Sequence, residues 1–144
     1  MGNTKSKFMD ILVQSEANDL FDETESSLSA VVHTGRRIET FSLKVEFYND
    51  IVIISTFSYL GSDEDNAESI NVFLESLNSV IEIGKFMISE DNRIMYQCGI
   101  PIDVIANIDN PFEIIFLGCE LFGCYQDSIL KALLDYHMVT FQMS

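Results

Sequence analysis

Residues 41–57, FSLKVEFYNDIVIISTF, constrain the fold of this chain more than any other stretch. Phe41, Leu43, Val45 and Phe47 alternate with Ser42, Lys44, Glu46 and Tyr48, and a period of two belongs to a strand with one face buried. Asn49-Asp50 then supplies a tight turn, so the β-branched run that follows reads as the returning strand of a hairpin. That second strand is apolar on both faces until Ser55 and Thr56, which suits an interior position in a sheet. Upstream, LSAVVH at 28–33, before Gly35, reads as a third antiparallel strand.

Helical periods bracket this sheet. Phe8, Ile11 and Leu12 repeat at helical spacing and Thr4 can serve as an N-cap, so a first helix is predicted over 5–16. The acidic, Ser-rich run SEANDLFDETESS reads as the end of that helix and a solvated connection anchored by Leu20 and Phe21. After Gly61, Asp65 and Glu68 have capping-box spacing. Ile70, Phe73, Leu74, Leu77 and Ile81 then form one apolar stripe opposite Glu68, Asn71, Glu75, Asn78 and Glu82, a helix that packs on one face of a sheet and ends at Gly84.

The stretch GKFMISEDNRIMYQCGIP, residues 84–101, reads as a second hairpin with its turn at Glu90-Asp91-Asn92, closed by Pro101, which supplies no N–H to a ladder. The last element starts after Asn110-Pro111, where proline fits a first helical turn. On it, Phe112, Ile115, Phe116, Cys119, Phe122, Ile129, Leu130 and Leu133 share one side. Ile114, Leu117, Leu121 and Tyr125 form a second apolar row nearly opposite, and one sheet cannot cover both. Glu113, Glu120, Asp127, Lys131 and Asp135 are confined to a narrow strip. The second row belongs either to an internal core or to an interface with another molecule.

These elements predict one α+β domain spanning 1–144, with an antiparallel sheet and the order helix, three strands, helix, two strands, helix. At 144 residues, 47% of them apolar and eleven of them Phe, the chain is long enough to bury one good core. With 23 Asp and Glu against 8 Lys and Arg, its net charge of −15 repels phosphate backbones and anionic lipid surfaces. The same acidity serves solubility, or attracts a basic partner. MGNTKSKFMD lacks the pattern of a secretory signal, so the mature chain is expected to begin here; Gly2 and Ser6 match only a loose myristoylation pattern. No apolar run approaches the length of a membrane span.

The run LNSVIEIGKFMISEDNRIMYQCGIPID, residues 77–103, resembles the bacterial YbjN family of sensory transduction regulators, which shares its fold with the class I chaperones of type III secretion. The shared features are a helix end, a Gly-Lys-Phe strand, an acidic turn, a strand with Tyr and an IPID exit. This run and the following helix cover nearly half of the chain; elsewhere the likeness lies in the order of elements. The resemblance implies a cytoplasmic homodimer with a binding or regulatory role, and carries no catalytic residue over to this sequence.

The residues themselves name no reaction. His33 precedes a turn and His137 lies near the end of the sequence, neither in a catalytic motif. SDED at 62–65 and SEDN at 89–92 lack the spaced ligands and Gly of a calcium loop, and read as a helix start and a turn. Cys98, Cys119 and Cys124 form no C-x-x-C pair; they are expected as reduced thiols, with Cys119 and Cys124 buried in the last helix. No Gly-rich loop or basic strip points to nucleotide or nucleic acid. The expectation is a non-enzymatic protein-binding module of the YbjN type without cofactor or metal, its candidate dimer or partner interface being Ile114, Leu117, Leu121 and Tyr125. A dedicated secretion chaperone holding an effector segment is the alternative, and an enzyme of unknown type is disfavoured.

Overall fold

The computed structural model describes residues 2–35, 40–61 and 67–143, with side chains from Thr4 to Leu134 within those ranges. It is an α+β fold on a six-stranded sheet, ordered β1-β2-β3-β4-β6-β5. The strands are β1 (Asp22–Glu23), β2 (Ser27–His33), β3 (Thr40–Tyr48), β4 (Ile51–Gly61), β5 (Lys85–Ile88) and β6 (Arg93–Pro101). Every neighbouring pair is antiparallel. The helices are α1 (Gly2–Gln14), α2 (Ala67–Asn78), α3 (Ile102–Asn107), α4 (Phe112–Ile115) and α5 (Leu117–Met143). No described helix is long and apolar enough to cross a membrane.

The alternation in β3 sorts its side chains as a half-buried strand requires: Phe41, Leu43 and Val45 are buried and Lys44 is exposed. The turn into β4 holds Asn49 at φ 58°, a left-handed conformation that Asn tolerates. β4 lies inside the sheet between β3 and β6, in keeping with its two apolar faces. Register carries the buried face across the sheet, with Leu28 opposite Val45, Val45 opposite Ile54, and Ile54 opposite Cys98.

α5 is seated on that face through one aromatic side chain and one glycine. The Phe122 ring lies 5.0 Å from both Phe41 and Phe86, and Phe86 meets Tyr96 edge-on at 5.5 Å. β4 contributes only Thr56 and Ser58 here, small side chains that leave room for the ring. A Cβ on Gly118 would stand 2.6 Å from the Thr56 Cβ and 3.0 Å from Tyr96 Cδ2, so only glycine lets the helix come this close. α1 covers the β3–β4 end of the same face: Phe8 packs edge-on against Phe47 at 5.7 Å, and Leu12 is buried beside it.

Several local expectations are corrected. The first helix covers Gly2–Gln14 rather than 5–16, and Thr4 lies inside it, its hydroxyl donating to the Asn49 carbonyl instead of capping the helix. The connection after it is solvated as expected, with only Ala17 and Phe21 buried, but it is ordered. It holds a 3-10 turn at Asn18–Leu20 and strand β1, and Lys5 ties it down through Glu23 at 2.7 Å and the Thr24 carbonyl at 2.8 Å. Phe21 is buried there as expected, but Leu20 points outward.

α2 stops at Asn78, well before Gly84, because Asn78 turns its side chain to the edge of the sheet. Its amide accepts from Phe86 N–H at 2.7 Å and donates to Phe86 C=O at 2.9 Å. The buried stripe in the helix is Ile70, Leu74 and Leu77; the Asp65 cap lies outside the described residues. IPID does not simply leave the sheet, since Ile102 N–H donates to the Asp50 carbonyl at 2.8 Å and starts α3, which buries Ile102 and Ile105. The single last helix is interrupted at Phe116, although the bonds Phe116 N–H to Phe112 C=O and Glu120 N–H to Phe116 C=O carry the helical ladder through.

Gly118→Ala tests the seating of α5. In an open helix the change would stabilise by about 1 kcal/mol, whereas overpacking against Thr56 costs about 2 kcal/mol or more. A melting temperature lowered by several degrees is expected. An unchanged or raised value would contradict the contact.

Candidate functional site

The structure brings three of the four predicted interface residues together. Leu117, Leu121 and Tyr125, on successive turns of α5, line a groove of about 230 Å³ whose opposite wall is Val80, Ile81 and Ile83. Ile114 sits in α4, half-buried against the core, and does not line the groove. The α5 residues are likewise half-buried, their inner surfaces packed on the core and their outer surfaces facing the groove. Across from them Val80 is 64% and Ile83 43% exposed. Glu82 is the one charged residue in the lining.

The second wall is fixed in place. The Tyr96 hydroxyl donates to the Ile83 carbonyl, and burial raises the Tyr96 pKa well above its ordinary value, so the phenol stays a neutral donor. Gly84 follows at φ 72°, where a Cβ would stand 2.6 Å from the Gln97 carbonyl; glycine is needed for both the conformation and the close approach. The apolar residues after α2 are thereby held beside α5 instead of turning inward.

The helix-free face of the sheet carries two further cavities with mixed linings. Phe57, Met87 and Met95 line a cavity of about 510 Å³ beneath the β5–β6 turn. Ile51, Ile53 and Gly99 line another of about 430 Å³ further along the same strands. The Arg93 guanidinium lies over the Tyr59 and Phe57 rings, at 4.6 and 5.2 Å, and its Nε donates to the Ser58 carbonyl at 2.8 Å.

The groups capable of covalent or acid–base chemistry are scattered. His33 is exposed, its Nδ1 3.2 Å from the Thr40 hydroxyl oxygen; the His137 side chain lies outside the described residues, as does SDED at 62–65. In SEDN, the Ser89 hydroxyl donates to Asp91 and Asn92 adopts φ 65°, a turn held by its own side chains. No group of metal-ligating side chains is found among the described residues. Cys98 and Cys119 are buried, but Cys124 is exposed, contrary to expectation. Five positions along a helix turn it about 140° away from Cys119, off the face that meets the sheet.

The chain matches no family model, no curated protein and no solved structure.

Burial pushes the Cys98 thiol up to about 11. The native state therefore holds this proton more tightly than the unfolded chain, and the stability it contributes is lost as pH rises from 9.0 toward about 11. Melting temperature should fall across that window. At neutral pH a thiol reagent should modify Cys124 at once and reach Cys98 and Cys119 only on unfolding; rapid reaction of all three would contradict the packing of α5.

Proposed function

We propose that this chain is a non-enzymatic protein-binding module of the YbjN type, working in the cytoplasm as a homodimer that pairs through the outer row of α5. One observation carries the reading: Leu117, Leu121 and Tyr125 face an apolar groove whose far wall, Val80 and Ile83, stays open to solvent. A surface that is apolar at its centre and held rigid on both sides suits a self-complementary contact. The resemblance at 77–103 supports it, because that run contains the anchored loop and the Tyr96 that holds it. The scatter of reactive groups, with Cys98 buried and held as the neutral thiol, supports a binding role over a catalytic one.

The net charge of −15 on each chain opposes self-association, so the apolar contact must outweigh that repulsion, and added salt strengthens the dimer by screening it. Sedimentation at micromolar concentration should show a dimer that tightens with salt. Leu117→Glu places a charge on each side of the contact, and should yield a monomer with the far-UV circular dichroism of the wild type. A wild type that sediments as a monomer, or a Leu117→Glu chain that unfolds, would assign the row to the internal core.

A further inference from the structure

The helix-free face of the sheet is polar over β2 and β3, with Ser29, Ser42, Lys44 and Glu46 outward, but carries an apolar patch where β4, β6 and β5 meet. Along an antiparallel sheet covered on one side only, outward positions are ordinarily hydrophilic. Here β4 and β6 send Phe57, Tyr59 and Met95 outward, and Met87 joins them from β5, its partner in register being Met95. Met95 keeps only 5% of its surface although no helix covers it, while Tyr59 is 60% exposed. Half-buried Phe57 and Met87 make a shallow floor over the buried Met95, beside the hydrogen-bonded Gln97 and Ser55, and the flexible Met87 thioether can adapt to a side chain laid on it.

The rim of this floor carries both signs, with carboxylates in excess. The lining of the larger cavity includes the carboxylates of Glu46, Glu90 and Asp91 and a single cation, Lys44. Lys44 stands 3.8 Å from Glu46, and Arg93 stands 3.7 Å from Asp91. Glu90 has no ion-pair partner among the described residues. Asp91 is held below its ordinary pKa, chiefly by the Ser89 hydroxyl and further by Arg93, so it is anionic at neutral pH. With Glu46 and Asp91 paired, the excess at the rim is the one carboxylate of Glu90, inside the field of a chain with a net charge of −15.

Docking along the β5 edge by strand addition is blocked at its centre, because Asn78 already occupies the outward N–H and C=O of Phe86. At the other edge β1 is two acidic residues long. β1 covers only Leu28 and Ser29, so the described strands leave the β2 edge uncovered from Ala30 to His33.

We propose that this face is a docking surface for an extended segment of another protein, with large apolar side chains on the Phe57–Met87–Met95 floor and flanking Lys or Arg side chains on the Glu46–Glu90–Asp91 rim. The inference stands apart from the homodimer, since it concerns the side of the sheet opposite the α5 groove. A second copy of this chain is the poorer occupant, because it brings the same carboxylate excess to the contact.

The test uses the full chain labelled with ¹³C-methyl methionine. The probe is a blocked hexapeptide with a Leu-Phe centre and two Lys on each side; a peptide with Glu in place of Lys and another with Ser-Ser at the centre are the controls. The Lys peptide should shift the Met87 and Met95 methyl signals saturably and leave Met9, in α1, unmoved, while neither control shifts them. Glu90→Lys, at an exposed turn position, should weaken binding about tenfold, and so should raised salt. Leu117→Glu should bind as the wild type does, which separates this proposal from the α5 reading. Absence of shifts, equal shifts with the Lys and Glu peptides, or an unchanged affinity in Glu90→Lys would overturn it. A Glu90→Lys chain with an altered sedimentation coefficient would overturn it too, by giving this face to a second copy.

Discussion

The close seating of α5 on β4 governs the rest of this structure. Gly118 brings the helix backbone against Thr56, and the Phe122 ring then reaches both Phe41 and Phe86, on strands that lie on either side of the central pair β4–β6. A fully buried Phe contributes about 1.5–3 kcal/mol through removal of its surface from water, and here it also joins distant strands into one core. The contact has a cost, since the Thr56 hydroxyl is buried with no hydrogen-bond partner, a loss of about 1–3 kcal/mol for a group of this kind. With α5 fixed there, α1 and α2 pack on the same side, so one face of α5 and one face of the sheet are left to the exterior.

The edges of the sheet are blunted in part, by different means. Asn78 imitates a neighbouring strand at Phe86, accepting and donating as a paired backbone would, and it ends α2 in doing so. The opposite edge is shortened to Asp22 and Glu23, whose charges discourage pairing. The two proposed contact surfaces, the α5 groove and the open sheet face, lie away from these edges. Tyr96 ties the groove to the core: it belongs to β6, flanks the Phe86 ring, and fixes Ile83 in the groove wall.

Much of the scaffold was legible in the sequence because period two and period 3.6 leave different traces. Residues 41–57 announce a hairpin, and the doubly apolar second strand announces its interior place. What the pattern did not carry were features too short to have a period, such as β1 and α3, and features decided by a tertiary bond. α2 stops where Asn78 finds Phe86, and nothing in Ser79–Val80–Ile81 marks that stop. The same bond hid half of the groove: Val80 and Ile83 were read as part of a helix and its end, so the second row of α5 was visible but the wall facing it was not. Phe57 and Met95 could be assigned to strands, yet alternation does not say which face the helices will choose.

The claim on which the functional reading depends is that the groove between α5 and the loop after α2 is where two copies meet, while the sheet face stays free. Hydrogen–deuterium exchange measured on the unmodified protein at concentrations spanning its self-association tests this most directly. The amides of residues 79–84 should gain protection as concentration rises, and those of residues 93–97 should exchange at a constant rate. Protection appearing at 93–97 instead, or at neither segment, would contradict it.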